Sequence, residues 1–199
     1  MTIGVLRSLS FAVPFVGVTT YFGTALLVGL FLPAYQESVK ILVVLLPGAL
    51  FVGFVPFLSG VFGAVNRARL MLLLESVVVV CIVALFLVFQ EFFAGPKGVG
   101  VAMTAGMLIY AATTIVAVFR LFPISPPDAL KQISGIYLPS FYCLIVVGLI
   151  INTIGTEADV MTTLIGYGLF LVASIPLLVF AHRLLDLRKM FSILRAPHG

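Results

Sequence analysis

Residues 70–89 read LMLLLESVVVVCIVALFLVF, twenty in a row with one ionisable side chain, Glu75. A helix that crosses a bilayer needs about 20 mostly apolar residues at 1.5 Å rise each, and this stretch meets that length. In lipid its surface is solvated, and its backbone groups are satisfied inside the helix. Five further stretches of the same kind flank it, at about 9–32, 41–65, 99–119, 136–154 and 160–181. Over the whole chain 62% of residues are hydrophobic and 9% charged, against about 25% charged in a soluble domain. The expected fold is all-α: a polytopic membrane bundle of six transmembrane helices filling residues 1–181, then a basic tail at 182–199.

The charges between the stretches alternate. Arg7, Arg67, Arg69, Arg120, Lys131, Arg183, Arg188, Lys189 and Arg195 fall on one side, with Asp128 and Asp186. The other side holds Lys40 and Lys97 with Glu37, Glu91, Glu157 and Asp159. Basic loops stay in the cytoplasm, so the pattern predicts a cytoplasmic-membrane protein with both termini inside. The same rule explains the net charge of +4 without any nucleic-acid partner. The first stretch exceeds a signal-peptide core, and Pro33-Ala34-Tyr35 offers no small-x-small cleavage site. It is expected to remain as a helix.

The connections are short, so neighbouring spans run antiparallel. The longest, 120–135, contains Pro123, Pro126 and Pro127, which forbid a continuous helix through it. A short interfacial helix at 127–134, leading into the fifth span, is expected there. In the tail, Leu184, Leu187, Phe191 and Leu194 recur at helical spacing with basic residues on other faces. That pattern suits an amphipathic helix on the inner surface, attracted to anionic headgroups, or an extension of the sixth span. Pro14, Pro47, Pro56, Pro139 and Pro176 fall in or at the edges of spans. Membrane helices tolerate such prolines where neighbours re-satisfy the freed carbonyl. Gly53 and Gly60 in the second span, and Gly98, Ala102 and Gly106 in the fourth, mark expected helix–helix contacts, because small residues let backbones approach.

Catalytic chemistry has no foothold. Ser59-Gly60 lacks the context of a nucleophile elbow. No P-loop lysine, zinc-protease motif or metal-binding cysteine pair occurs. Cys81 and Cys143 read as packing residues, and no cofactor, metal or enzymatic activity is expected. The exception to an apolar interior is Glu75, six residues beyond Arg69, or about 9 Å from the inner edge at helical rise. An intramembrane carboxylate is a functional candidate by default. It faces either a water-filled inner cavity or a structural partner such as Arg67 or Arg69. No Lys or Arg occupies the middle of a span. The candidate transport cations, Arg7, Arg67 and Arg69, are rim residues.

Three stretches carry a family resemblance. The first span ends Leu27-Val28-Gly29-Leu30-Phe31-Leu32-Pro33-Ala34-Tyr35-Gln36-Glu37-Ser38. The second ends in the polar turn Gly63-Ala64-Val65-Asn66-Arg67-Ala68-Arg69. The fourth begins Lys97-Gly98-Val99-Gly100-Val101-Ala102-Met103-Thr104, with Val101 where a small residue is common. In order, spacing and sidedness these resemble the C-terminal part of polysaccharide flippases in the multidrug/oligosaccharidyl-lipid/polysaccharide exporter superfamily. The resemblance covers most of residues 5–120; beyond 133 only the hydrophobic spans match. It implies transport of lipid-linked saccharide by alternating access between two lobes around a cavity. Six spans would then be the last six of such a protein, its partners being membrane lipids, the lipid-linked saccharide, and an N-terminal lobe or a second copy. A structural or inactive membrane fragment and a multidrug-type exporter lobe are the alternatives.

Overall fold

The computed structural model describes residues 2–93, 95–121, 125–155 and 159–184, with side chains from Leu9 to Ala181 among them. The described residues contain no strand. Seven helices follow in order: α1 (Thr2–Phe31), α2 (Gln36–Val52), α3 (Val55–Ala64), α4 (Ala68–Phe92), α5 (Pro96–Arg120), α6 (Pro126–Ile154) and α7 (Val160–Leu184), with a 3-10 turn at Pro33–Tyr35 before α2. Six segments are long and apolar enough to cross a membrane, α2 and α3 together making one of them. The fold is the expected all-α bundle. From residue 185 on, the tail lies outside the described residues.

The second span, expected at 41–65 with Pro47 and Pro56 within it, is two helices that break between Val52 and Val55. Pro56 enters α3 in its first turn and has no N–H for the carbonyl of Val52. The carbonyl of Phe54 instead accepts from the N–H groups of Phe57 and Leu58, both at 3.2 Å. Phe54, Val55 and Leu58 are buried around the break, which keeps the irregular backbone away from lipid, where it is tolerated.

The fifth span departs in the opposite sense. The separate interfacial helix expected at 127–134 is the first part of α6, which runs without interruption from Pro126 through Pro139 to Ile154. Pro126 and Pro127 start it, since the first turn of a helix has N–H groups without partners anyway. Ser125 caps it: its hydroxyl oxygen accepts from the N–H of Asp128, and its O–H donates to the Asp128 carboxylate.

The turn from α3 to α4 is a Schellman cap. The N–H of Arg67 reaches the carbonyl of Phe62 at 2.7 Å, and that of Asn66 the carbonyl of Gly63 at 3.1 Å. Asn66 sits in the left-handed region at φ 56°, a conformation Asn accepts more readily than most residues.

Contacts set the packing. Phe11 meets Phe180, Phe15 meets Phe170 and Phe22 meets Tyr167, so α1 and α7 run antiparallel. Phe51 stacks on Tyr137 with ring centroids 4.7 Å apart, and Phe54 meets the same ring edge-on, tying the α2–α3 break to α6. α2 and α5 run parallel. Thr104 on α5 donates its hydroxyl to the carbonyl of Val44 at 2.6 Å, beside the Val43 carbonyl that Pro47 leaves without a helical donor. Gly48 makes that approach feasible, because a Cβ there would sit 3.0 Å from the Cα of Thr104.

Two buried clusters result. One gathers α1, α2, α6 and α7 around Phe22, Leu50, Val147 and Phe170. The other gathers α3, α4, α5 and α6 around Phe54, Phe62, Ile115 and Tyr137. The broken second span is the seam between them. At one edge stands α4, packed chiefly on α5 and α3.

Candidate functional site

α4 is the least covered helix of the bundle. Within its span 6% of residues are buried, against 22–33% in the other five. Leu72, Leu73, Val77, Val80, Val83 and Leu87 all present exposed apolar side chains. For a lipid-facing helix this is ordinary. Glu75 and Ser76, in the same stretch and equally exposed, are the departure. Ser76 satisfies its hydroxyl locally, donating to the carbonyl of Leu72 at 2.8 Å.

Glu75 has a cross-helix partner that the sequence reading missed. The Tyr110 hydroxyl of α5 donates to its carboxylate at 3.0 Å. The register follows from the antiparallel pairing of α4 and α5: Gly98 packs on the backbone near Phe89 and Phe93, Gly106 on Ile82, and Tyr110 reaches Glu75. A depth match across that pair was the available signal, and it lay 35 residues away along the chain.

The rim cations do not close on Glu75. Arg67 and Arg69 are exposed at the α3–α4 turn, and neither forms an ion pair among the described residues, where Lys40 and Glu37 at the opposite end do so at 2.7 Å. The backbone of Arg7 lies in α1, and its side chain is outside the described set. Of the four transport candidates, the structure gives a polar contact to Glu75, and that contact is a tyrosine.

The small residues divide. A Cβ on Gly53 would lie 2.6 Å from Val13 of α1, one on Gly98 2.6 Å from the Phe93 carbonyl oxygen, and one on Gly106 would overlap Ile82. Ala102 is buried. Gly60 departs from the packing expected of it: nothing lies within 4 Å of a Cβ built there, because it sits on the open side of α3.

The buried polar residues among those described are hydroxyls: Ser10, Thr114, Ser140, Thr163 and Ser174. No buried Lys or Arg joins them. Cys81 and Cys143 are free thiols. No group of three His, Cys, Asp or Glu side chains suited to a metal occurs among the described residues. The arrangement therefore offers a carboxyl–phenol pair on an apolar, uncovered helix face, with cations at the nearer end of the same helix. No family model, curated protein or solved structure matches the chain.

Proposed function

We propose that the chain is one lobe of a flippase-type transporter for lipid-linked saccharide, in the cytoplasmic membrane with both termini inside. The observation that carries the reading is Glu75, held by Tyr110 on the exposed face of α4. An acidic side chain in the hydrocarbon costs about 2.5–3.5 kcal/mol at the centre of a helix on insertion scales, and less at the shallower depth of Glu75. That cost falls if the α4 face borders a hydrated path, or a second lobe that completes one. The order of the three flippase-like stretches supports the same reading, and the lack of a buried Lys or Arg among the described residues is compatible with a lobe that supplies only part of a substrate cavity. The expected partners are a complementary lobe or a second copy of the chain.

One observation favours a second reading, a structural membrane protein without transport. The Tyr110–Glu75 bond joins α4 to α5, which is a sufficient structural use for the side chain. Glu75→Gln separates the two, because the amide keeps an acceptor for Tyr110 and removes the acid. Flipping of a fluorescent lipid-linked oligosaccharide in proteoliposomes, measured with a complementary lobe or at several chains per vesicle, is expected to fall at least tenfold in Glu75→Gln with stability unchanged. Unchanged flipping would remove Glu75 from the mechanism. Movement of cationic drugs in place of saccharide would assign the lobe to the multidrug exporters.

A further inference from the structure

On the flank away from α4, a cleft of about 490 Å³ opens between α1, α6 and α7. That volume is within the range of small-molecule sites, about 300–1,000 Å³. Phe11, Phe141, Ile145 and Phe180 give it apolar walls, and the Phe11–Phe180 contact at 6.3 Å joins α1 to α7 beside it. Tyr142 also borders the cleft, but its hydroxyl is engaged with the carbonyl of Ala173 at 2.6 Å. Lys131 is the first α6 residue to line the cleft, and the one cation among its lining residues. It is exposed and forms no ion pair among the described residues. Asp128, one turn before it, is engaged with Ser125.

The dimensions match a lipid better than a soluble ligand. Lys131 to Ile145 covers about 21 Å of helix at 1.5 Å per residue. The hydrocarbon of one leaflet is about 15 Å deep, half of a 30 Å core. A cation at the end of α6 and an apolar trough beyond it therefore run from headgroup level through one leaflet. Gly135, one turn past Lys131, keeps that end wide, with nothing within 4 Å of a Cβ built on it. Pro139, also lining the cleft, has no N–H to return to the Gly135 carbonyl. That carbonyl can accept from a headgroup hydroxyl, and recognition of the phosphate charge rests on Lys131.

We propose that this cleft binds an anionic phospholipid of the leaflet on the Lys131 side, one hydrocarbon chain lying along Phe141 and Ile145 and the phosphate at Lys131. The proposal is independent of the transport reading, since it concerns a different flank and needs no second lobe.

The chain contains no tryptophan, so Phe141→Trp places a single emitter in the cleft and Val80→Trp a control on α4. Each is reconstituted in phosphatidylcholine vesicles carrying brominated phosphatidylglycerol or brominated phosphatidylcholine as quencher. A basic residue at headgroup level is worth about fivefold in partitioning. Brominated phosphatidylglycerol is therefore expected to quench Phe141→Trp with about fivefold higher relative affinity, and Val80→Trp without preference. Added Lys131→Gln should abolish the preference, and Lys131→Arg should keep it. Gly135→Leu, which grows into open space, should weaken quenching at Phe141→Trp by both lipids. Equal quenching by the two headgroups, a preference that survives Lys131→Gln, the same preference at Val80→Trp, or a Phe141→Trp signal shielded from both lipids by another occupant would each overturn the proposal.

Discussion

Replacing Gly48 by Ala adds one methyl group where α2 and α5 touch. Its Cβ would stand 3.0 Å from the Cα and 3.0 Å from the Sδ of two residues on α5, Thr104 and Met107 respectively. Ordinary carbon contacts are about 3.5–4.0 Å. A methionine tip can swing aside; the Thr104 backbone cannot, so the helices must part by about 0.5–1 Å to restore that spacing. The Thr104–Val44 bond, now 2.6 Å, would then lengthen beyond the usual O–H···O range of about 2.5–3.0 Å. Overpacking costs about 1–3 kcal/mol, and a hydrogen bond between membrane helices averages about 0.6 kcal/mol. Ala recovers up to about 1 kcal/mol of helix propensity relative to Gly. The net expectation is a loss of about 1.5 kcal/mol, close to a tenfold shift in the unfolding equilibrium. Unfolding in mixed micelles, by SDS titration or steric trapping, reads it. Thr104→Val alone should cost about 0.6 kcal/mol, and Gly48→Ala should cost less in that background because the shared bond is already gone. Gly60→Ala, with nothing within 4 Å of the new atom, should be neutral or stabilising by up to about 1 kcal/mol. A Gly48→Ala protein as stable as the parent, or full additivity with Thr104→Val, would refute the close parallel packing of α2 on α5.

Three further expectations follow from single sites. Asn66 holds a left-handed φ in the α3–α4 cap, so Asn66→Val should destabilise by about 1–2 kcal/mol and Asn66→Gly should be neutral or slightly stabilising, in the same titration. Gly98→Val drives a side chain into the backbone oxygen of Phe93 and should prevent recovery of monodisperse protein in detergent, read by size-exclusion chromatography, where Gly60→Val does not. Tyr110→Phe and Glu75→Leu should show a coupling energy of about 0.6 kcal/mol, and at most about 1.7, in a double-mutant cycle of stability; additivity would mean that the bond contributes nothing.

What could be read in advance was what lipid enforces. Residues 70–89 have one reading in a bilayer, and the other five stretches follow it, because a spanning backbone has few ways to satisfy its polar groups. What could not be read was which proline breaks a helix. Pro56 ends one helix and begins another, whereas Pro139 is absorbed within α6. The difference lies in what packs around each, and Phe51, Phe54 and Tyr137 come together only in the folded bundle. The glycines divide for a similar reason. Gly53 and Gly60 look alike as small residues in one span, yet one meets Val13 and the other open space. Glu75 stood out as an ionisable residue among apolar ones. Its partner Tyr110 did not, because tyrosine is common in membrane helices and only the α4–α5 register brings the two together. Lys131 read as one more inner-loop charge; its place at the head of an apolar cleft depends on α6 being continuous through a segment expected to be broken.

The proposed transport function is tested most directly by flipping of a fluorescent lipid-linked oligosaccharide in proteoliposomes at controlled occupancy. At one chain per vesicle no flipping is expected. At several chains per vesicle, or with a complementary lobe co-reconstituted, flipping should appear and should require Glu75. Equal flipping per chain at single occupancy would contradict the reading as a lobe, and no flipping under any of these conditions would contradict the reading as a transporter.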